Sequence, residues 1–217
     1  MSSRYKLIIF DWDGTLMDSL TRIVKSMQSA GEAFDLPVLS ETQVHEIIGL
    51  GLGEAITTLY PELTAEEVQQ VREKYAHFYL QDDHNPSQFY QGILPMLDGL
   101  KESPALLSVA TGKSRRGLDR VMSAVAAEGY FHSSRCADET ESKPSPRMVL
   151  ELLEFHGVKP EDAVVVGDTE FDMEMAQRAG VARLGVGWGA HKMHRLEKYQ
   201  PQACFQQVGD LADWLLK

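Results

Sequence analysis

The sequence predicts an α/β protein: a doubly wound, mostly parallel sheet with a helical segment inserted after its first strand. Three observations carry this reading. Leu7-Ile8-Ile9-Phe10 is a short aliphatic and aromatic run ending at a carboxylate, the pattern of a strand buried on both faces. Helical periodicity without strand signals then holds through residues 17–85. From residue 96 onward, helical and strand patterns alternate, as they do in a parallel sheet covered by helices.

In chain order, residues 6–10 form the first strand. Ser19 opens a helix over 19–34, with Leu20, Ile23, Val24, Met27 and Ala30 on one face, and Leu36-Pro37 ends it. Ser40 and Gln43 have capping-box spacing and start a short helix to residue 48. Residues 49–53, with glycine at 49, 51 and 53, read as a flexible break. Helices over 54–60 and 63–81 follow, the second with Val68, Val71, Tyr75, Phe78 and Tyr79 as its apolar stripe. Asn85-Pro86-Ser87 is a breaker. Helices are then expected at 96–102, 114–127, 145–156, 171–179 and 208–216, and strands at 105–110, 135–137, 163–166 and 181–186. The first strand needs the later ones as partners. The chain therefore divides into a core, residues 1–16 and 86–217, and a helical insertion, residues 17–85. The two crossings, at 17–19 and 85–95, suit a hinge.

Composition narrows the function classes. A chain of 217 residues, 43% hydrophobic, can bury a sizeable core. A net charge of −11 argues against nucleic acid or an anionic membrane as partner. No run approaches the length of a membrane span, and the N-terminus has no signal-peptide pattern. Cys136 and Cys204 lie far apart without a CxxC spacing, so no disulfide is expected and a reducing, cytoplasmic setting is the default. The sequence assigns no oligomeric state.

Polar residues collect where the strands end, which is where open α/β sheets place ligands. Asp11 and Asp13 follow the first strand, and i, i+2 spacing on an extended chain would put their carboxylates close together. Like charges at that distance require a cation or a shared proton. Thr111-Gly112 follows the strand at 105–110, Lys143-Pro144 follows 135–137, and Gly167-Asp168 with Asp172 follows 163–166. Asp168 and Asp172, at i, i+4, share a face if a helix has begun by Asp168.

In this order and spacing, Asp11-Trp12-Asp13-Gly14-Thr15, Thr111-Gly112, Lys143-Pro144 and Gly167-Asp168…Asp172 resemble the four motifs of the haloacid dehalogenase superfamily. The resemblance spans nearly the whole chain. It implies a Rossmann-like core with the insertion as a small α-helical cap, and within the family the pattern is most similar to the phosphoglycolate phosphatase-like group. It further implies an aspartyl-phosphate mechanism. Asp11 would be the nucleophile, and Asp13 the general acid and then the base. Mg²⁺ would be held by Asp11, the Asp13 carbonyl and Asp168, with Asp172 as a ligand or a partner of one. Thr111 and the Gly112 amide would bind phosphoryl oxygens, and Lys143 would bridge Asp11 and the phosphate. The implied substrate is a small phosphorylated metabolite, with 2-phosphoglycolate leading. The closeness of the two aspartates would help keep a proton on Asp13. A sugar phosphomutase on the same motifs, and a non-catalytic regulatory module, are the alternatives.

Other patterns carry less. Thr111-Gly112-Lys113-Ser114 is not a P-loop, because Leu107 stands where that motif needs its first glycine. Thr111 also reads as a helix N-cap. His191 and His194 have helical metal spacing without a third ligand, and read as a solvated face. Arg22 and Lys25 face substrate or solvent. Residues 185–189 read as a loop after a strand, near the mouth of the site.

Overall fold

The computed structural model describes residues 3–81 and 87–217; Asn85 and Pro86, expected as a breaker, lie outside them. Six parallel strands form one sheet in the order β5-β4-β1-β6-β7-β8. The ranges are β1 Leu7–Phe10, β4 Leu106–Thr111, β5 Ser133–Cys136, β6 Ala163–Gly167, β7 Ala182–Val186 and β8 Ala203–Phe205. β1 lies between β4 and β6, with Leu7 level with Leu106 on one side and Ala163 on the other. Its four apolar residues have no solvent exposure, because helices cover both faces.

Alternate side chains of β1 go to opposite faces, and each face has its own core. Ile8 and Phe10 pack with Val164, Val166 and Leu107 under α5 (Ile93–Lys101), α6 (Arg115–Ala124) and α10 (Val208–Leu215). Leu7 and Ile9 pack with Val165 under α7 (Arg147–His156) and α8 (Glu170–Arg178).

Helices α1 (Leu20–Glu32), α2 (Glu41–His45), α3 (Leu52–Leu59) and α4 (Ala65–Gln81) pack around a third core. Ile23, Val24, Met27 and Ala30 supply the α1 side of it, at the spacing their sequence pattern indicates. Ser40 and Gln43 form the expected capping box on α2. The two crossings between this helical layer and the sheet pair with each other. β2 (Met17–Asp18) and β3 (Gln88–Phe89) make a two-stranded antiparallel ribbon, Met17 opposite Phe89. Strands of two residues carry no periodicity, so no sequence pattern marks them. The same shortness hides β8 and α9 (Met193–Leu196).

Several local readings are corrected. Ser19 precedes α1 but makes no side-chain cap. Ser114, not Thr111, caps α6, accepting a hydrogen bond from the Gly117 amide. Arg22 is buried rather than solvated, and its guanidinium donates to the Tyr79 carbonyl. His191 is 2% exposed, not part of a solvated helix face. Gly53 lies inside α3, and the flexible break is a packed loop ending at Gly51. Cys136 and Cys204 are free, as expected. Among the described residues no helix is long and apolar enough to cross a membrane.

Leu152 is fully buried in α7 against the sheet. Leu152→Ala should destabilise the protein by about 2–5 kcal/mol in urea unfolding, since the rigid sheet cannot collapse onto the cavity.

Candidate active site

The site forms where β1 gives way to a turn. Asp11 extends the ladder by donating its amide to the Val166 carbonyl at 2.9 Å. Trp12 then turns inward, has no exposure, and meets Phe89 and Phe131 edge-on at 6.0 Å each. Gly14 takes a φ of +82°, which closes the turn and brings the backbone against Asp168; a side chain there would collide with that carboxylate. Thr15 donates to Asp168 Oδ1 at 2.6 Å, and the Ala190 amide donates to Oδ2 at 2.7 Å.

Asp11, Asp168 and Asp172 converge, each offering an oxygen within 4.8 Å of the others, and all three are buried. Asp168 precedes α8 rather than belonging to it. Thr169 caps that helix in a capping box with Asp172, so a loop and not a shared helix face brings the two aspartates together. Asp172 Oδ2 accepts from Thr169 N at 3.0 Å and Oγ1 at 2.6 Å. Lys143, 1% exposed, donates to Asp11 Oδ1 at 2.5 Å and to Asp172 Oδ1 at 2.7 Å. Burial works against the Lys143 charge, but Asp11 and Asp172 outweigh it and hold the ammonium well above its ordinary range.

One oxygen is left over: Asp11 Oδ2 is buried without a hydrogen-bond partner among the described residues. Burial raises the Asp11 carboxyl well above its ordinary value; Lys143 opposes this, and Asp172 and Asp168 add to it. Three buried carboxylates against one lysine leave a deficit of positive charge. A hard, all-oxygen donor set with an orphaned oxygen fits a cation such as Mg²⁺.

Asp13 is placed differently from the expectation. The strand ends at Phe10, so Asp11 and Asp13 do not share a strand face. Asp13 Oδ1 accepts from Ser19 Oγ at 2.6 Å, and Oδ2 forms an ion pair with Lys113 Nζ at 2.9 Å. The acidic neighbours that raise the Asp11 carboxyl are Asp172 and Asp168.

Asp11, Asp13, Gly112 and Lys143 line a cleft of ≈ 1150 Å³ between the sheet end and the helical layer. Thr111 is fully buried beneath it, its hydroxyl accepting from the Lys113 amide at 3.2 Å. The loop before α3 closes one side. The Gly49 and Leu50 carbonyls lie so near Gly112 that a Cβ there would collide with them, and Ser142 Oγ accepts from the Gly51 amide at 2.8 Å. Arg195 ties α9 to the helical layer through Glu46 at 2.7 Å. Of residues 185–189, expected as a loop near the mouth, Gly185 and Val186 belong to β7; Trp188, in the loop after it, donates to the Thr15 carbonyl at 3.0 Å.

Sequence reasoning missed Lys113, Ser19, Tyr75 and Tyr79. Lys113 sits in a rejected P-loop look-alike, and its partner is a hundred residues away. Tyr75 and Tyr79 read as a core stripe, and both also line the cleft.

Burial, then the Asp172 charge, pushes the Asp168 carboxyl from 3.8 up to about 7, against Thr15, Ala190 and Lys143. A carboxyl raised on folding favours the folded state fully below its unfolded value, and that contribution is lost as pH rises through the folded value. The metal-free protein should therefore melt about 3 °C or more lower at pH 8 than at pH 6. Magnesium should raise the melting temperature more at pH 8 than at pH 6. Calorimetry at both pH values checks both outcomes.

Comparison with known proteins agrees with this geometry. Residues 8–186 match the haloacid dehalogenase-like hydrolase family model. The phosphoglycolate phosphatase of Vibrio vulnificus (strain YJ016) is 30% identical over 219 residues, covering 97% of this chain and 96% of its own. IndB of Dickeya dadantii, described as a probable phosphatase, is 32% identical over 218 residues, covering 97% and 95%. Among solved structures, a predicted phosphoglycolate phosphatase from Haemophilus somnus superposes with a TM-score of 0.84 at 27% identity, covering 97% of this chain and 98% of its own. A haloacid dehalogenase-like family protein from Streptococcus pneumoniae shares the fold, with a TM-score of 0.84 at 22% identity and the same coverage. With its family motifs gathered at the ends of parallel strands, the chain belongs to the haloacid dehalogenase-like hydrolases and is a phosphatase of that family.

Proposed function

We propose that the protein hydrolyses a small phosphomonoester through an aspartyl-phosphate on Asp11, with Mg²⁺ as cofactor and 2-phosphoglycolate as the leading substrate. The observation that carries this reading is the unpartnered Asp11 Oδ2, buried beside Lys143 and two further carboxylates. A carboxylate stripped of water and oriented on one side by an ammonium is a poised nucleophile.

Asp11 attacks phosphorus as the bond to the leaving oxygen breaks. Lys143 offsets charge on the transferring group, and the Gly112 amide and Thr111 hydroxyl lie at the same strand ends to hold its oxygens. Asp13 gives a proton to the departing oxygen, then takes one from the water that opens the acyl phosphate. Asp11, Asp168 and Asp172, with the Asp13 carbonyl, would hold Mg²⁺, which would neutralise charge on the phosphoryl oxygens. The helical layer acts as a cap that keeps water from the reacting centre, seated through the Gly51–Ser142 and Glu46–Arg195 contacts.

Support for a substrate with a second anionic group comes from α6. Arg116 and Arg120 line the cleft one helical turn apart, and neither has a hydrogen-bond or ion-pair partner among the described residues. Arg115, Arg135, Arg147, Arg178 and Arg195 all meet carboxylates. A carboxylate on the leaving group would supply what these two lack.

Phosphate release from a panel of two- and three-carbon phosphates, sugar phosphates and nucleotides tests the reading. Asp11→Asn should lower turnover by at least about 10³-fold with the fold intact; retained activity would remove Asp11 from its role. Isomerisation of a sugar phosphate without phosphate release would favour a mutase. Arg116→Ala with Arg120→Ala should raise KM for phosphoglycolate about tenfold or more while leaving p-nitrophenyl phosphate little changed. An equal rise for both esters would exclude a carboxylate subsite there.

A further inference from the structure

Lys113 has no role among the four family motifs, yet it holds the acid–base residue. Its Nζ lies 2.9 Å from Asp13 Oδ2, with both side chains nearly buried. Ser19 donates to the other oxygen at 2.6 Å. The two donors come from different places: Ser19 from the crossing into the helical layer, Lys113 from the turn after β4. Lys113 is itself fixed. Its ammonium lies 4.9 Å from the centre of the Tyr79 ring on α4. Tyr75 stacks on Tyr79 at 5.8 Å, and Arg22 covers the same ring at 4.3 Å while donating to the Tyr79 carbonyl at 3.0 Å. An unbroken line of contacts therefore runs from α1 through α4 and the β4 turn to Asp13.

We infer that Lys113 is a positioning residue for Asp13: by holding one carboxylate oxygen while Ser19 holds the other, it fixes the orientation in which Asp13 serves the leaving group. This rests on the phosphatase reading above. An aspartate has two side-chain torsions to lose, and a donor on only one oxygen leaves the group free to swing about that bond. General acid catalysis needs the proton within hydrogen-bond reach of the departing oxygen, so orientation enters the rate directly. In the step concerned, the Asp11 oxygen–phosphorus bond forms, the phosphorus–oxygen bond to the leaving group breaks, and the Asp13 proton passes to the departing oxygen. Because Lys113 leans on Tyr79, the orientation is complete only when α4 is seated against the sheet end.

The test is leaving-group dependence. An alkyl phosphate departs as an alkoxide unless it is protonated, whereas nitrophenolate needs no proton. The ratio kcat/KM reports the first half-reaction alone, so the later need for a base does not enter. With Mg²⁺ present, Lys113→Met should lower kcat/KM for an alkyl phosphate about 100-fold and for p-nitrophenyl phosphate no more than about threefold, and Lys113→Arg should recover most of the loss. Equal losses on both esters, or no loss on either, would overturn the assignment: Lys113 would then bind the phosphoryl group, support the fold, or do neither. If Lys113→Met melts well below the wild type, Ser19→Ala carries the same comparison, with loss confined to the alkyl ester expected and equal loss overturning it. A wild-type protein that releases phosphate from neither ester would overturn the phosphatase reading and this inference with it.

Discussion

Three carboxylates facing one another out of water are the constraint on which the rest of this structure depends. Asp11, Asp168 and Asp172 would repel one another if left alone, and Lys143 answers only part of that charge. Each neighbouring feature is a means of holding the cluster together. Thr15 and the Ala190 amide take Asp168, Thr169 takes Asp172, and Gly14 lets the backbone come close enough for the set to converge. What stays unanswered among the described residues is Asp11 Oδ2, the oxygen on which the proposed chemistry rests.

The sheet supplies the rigidity this requires. β1 is a four-residue strand with parallel neighbours on both sides and a separate apolar core under each face. Its end cannot drift, so Asp11 is positioned to the precision of a packed interior. Asp13, two residues on, is already in the turn and needs other supports. It finds them in Ser19 and Lys113, one on the crossing to the helical layer and the other under a tyrosine of that layer. The proposed nucleophile thus belongs to the sheet, while the proposed acid–base residue is shared between the sheet and the helices above it.

This division explains how a protein with a net charge of −11 can present a site for an anion. The overall field is repulsive, but within the cleft Lys143, Lys113, Arg116 and Arg120 stand close to where phosphate chemistry would occur. At short range, local charges, above all the buried Lys143, outweigh the screened sum of distant ones.

Much of this was legible along the chain. The buried run before Asp11, the alternation after residue 96 and the periodicity of α1 and α4 determined the sheet and the helical layer, because each signal is local. The ordered motifs named Asp11, Thr111, Lys143, Asp168 and Asp172 as one constellation. Tertiary structure alone decided the partners. The strand stops at Phe10, so Asp13 lies in the turn beyond it, held by Ser19 and Lys113. A capped loop, not a helix face, joins Asp168 to Asp172. His191 looks solvated in a linear pattern, and Arg22 is open between substrate and solvent; both are buried by elements far away in sequence. Lys113 meets Asp13 across a hundred residues, and no periodicity encodes that contact. Local patterns specify which segments bury and how they run; which charges meet is set by how those segments pack, and that depends on the whole chain at once.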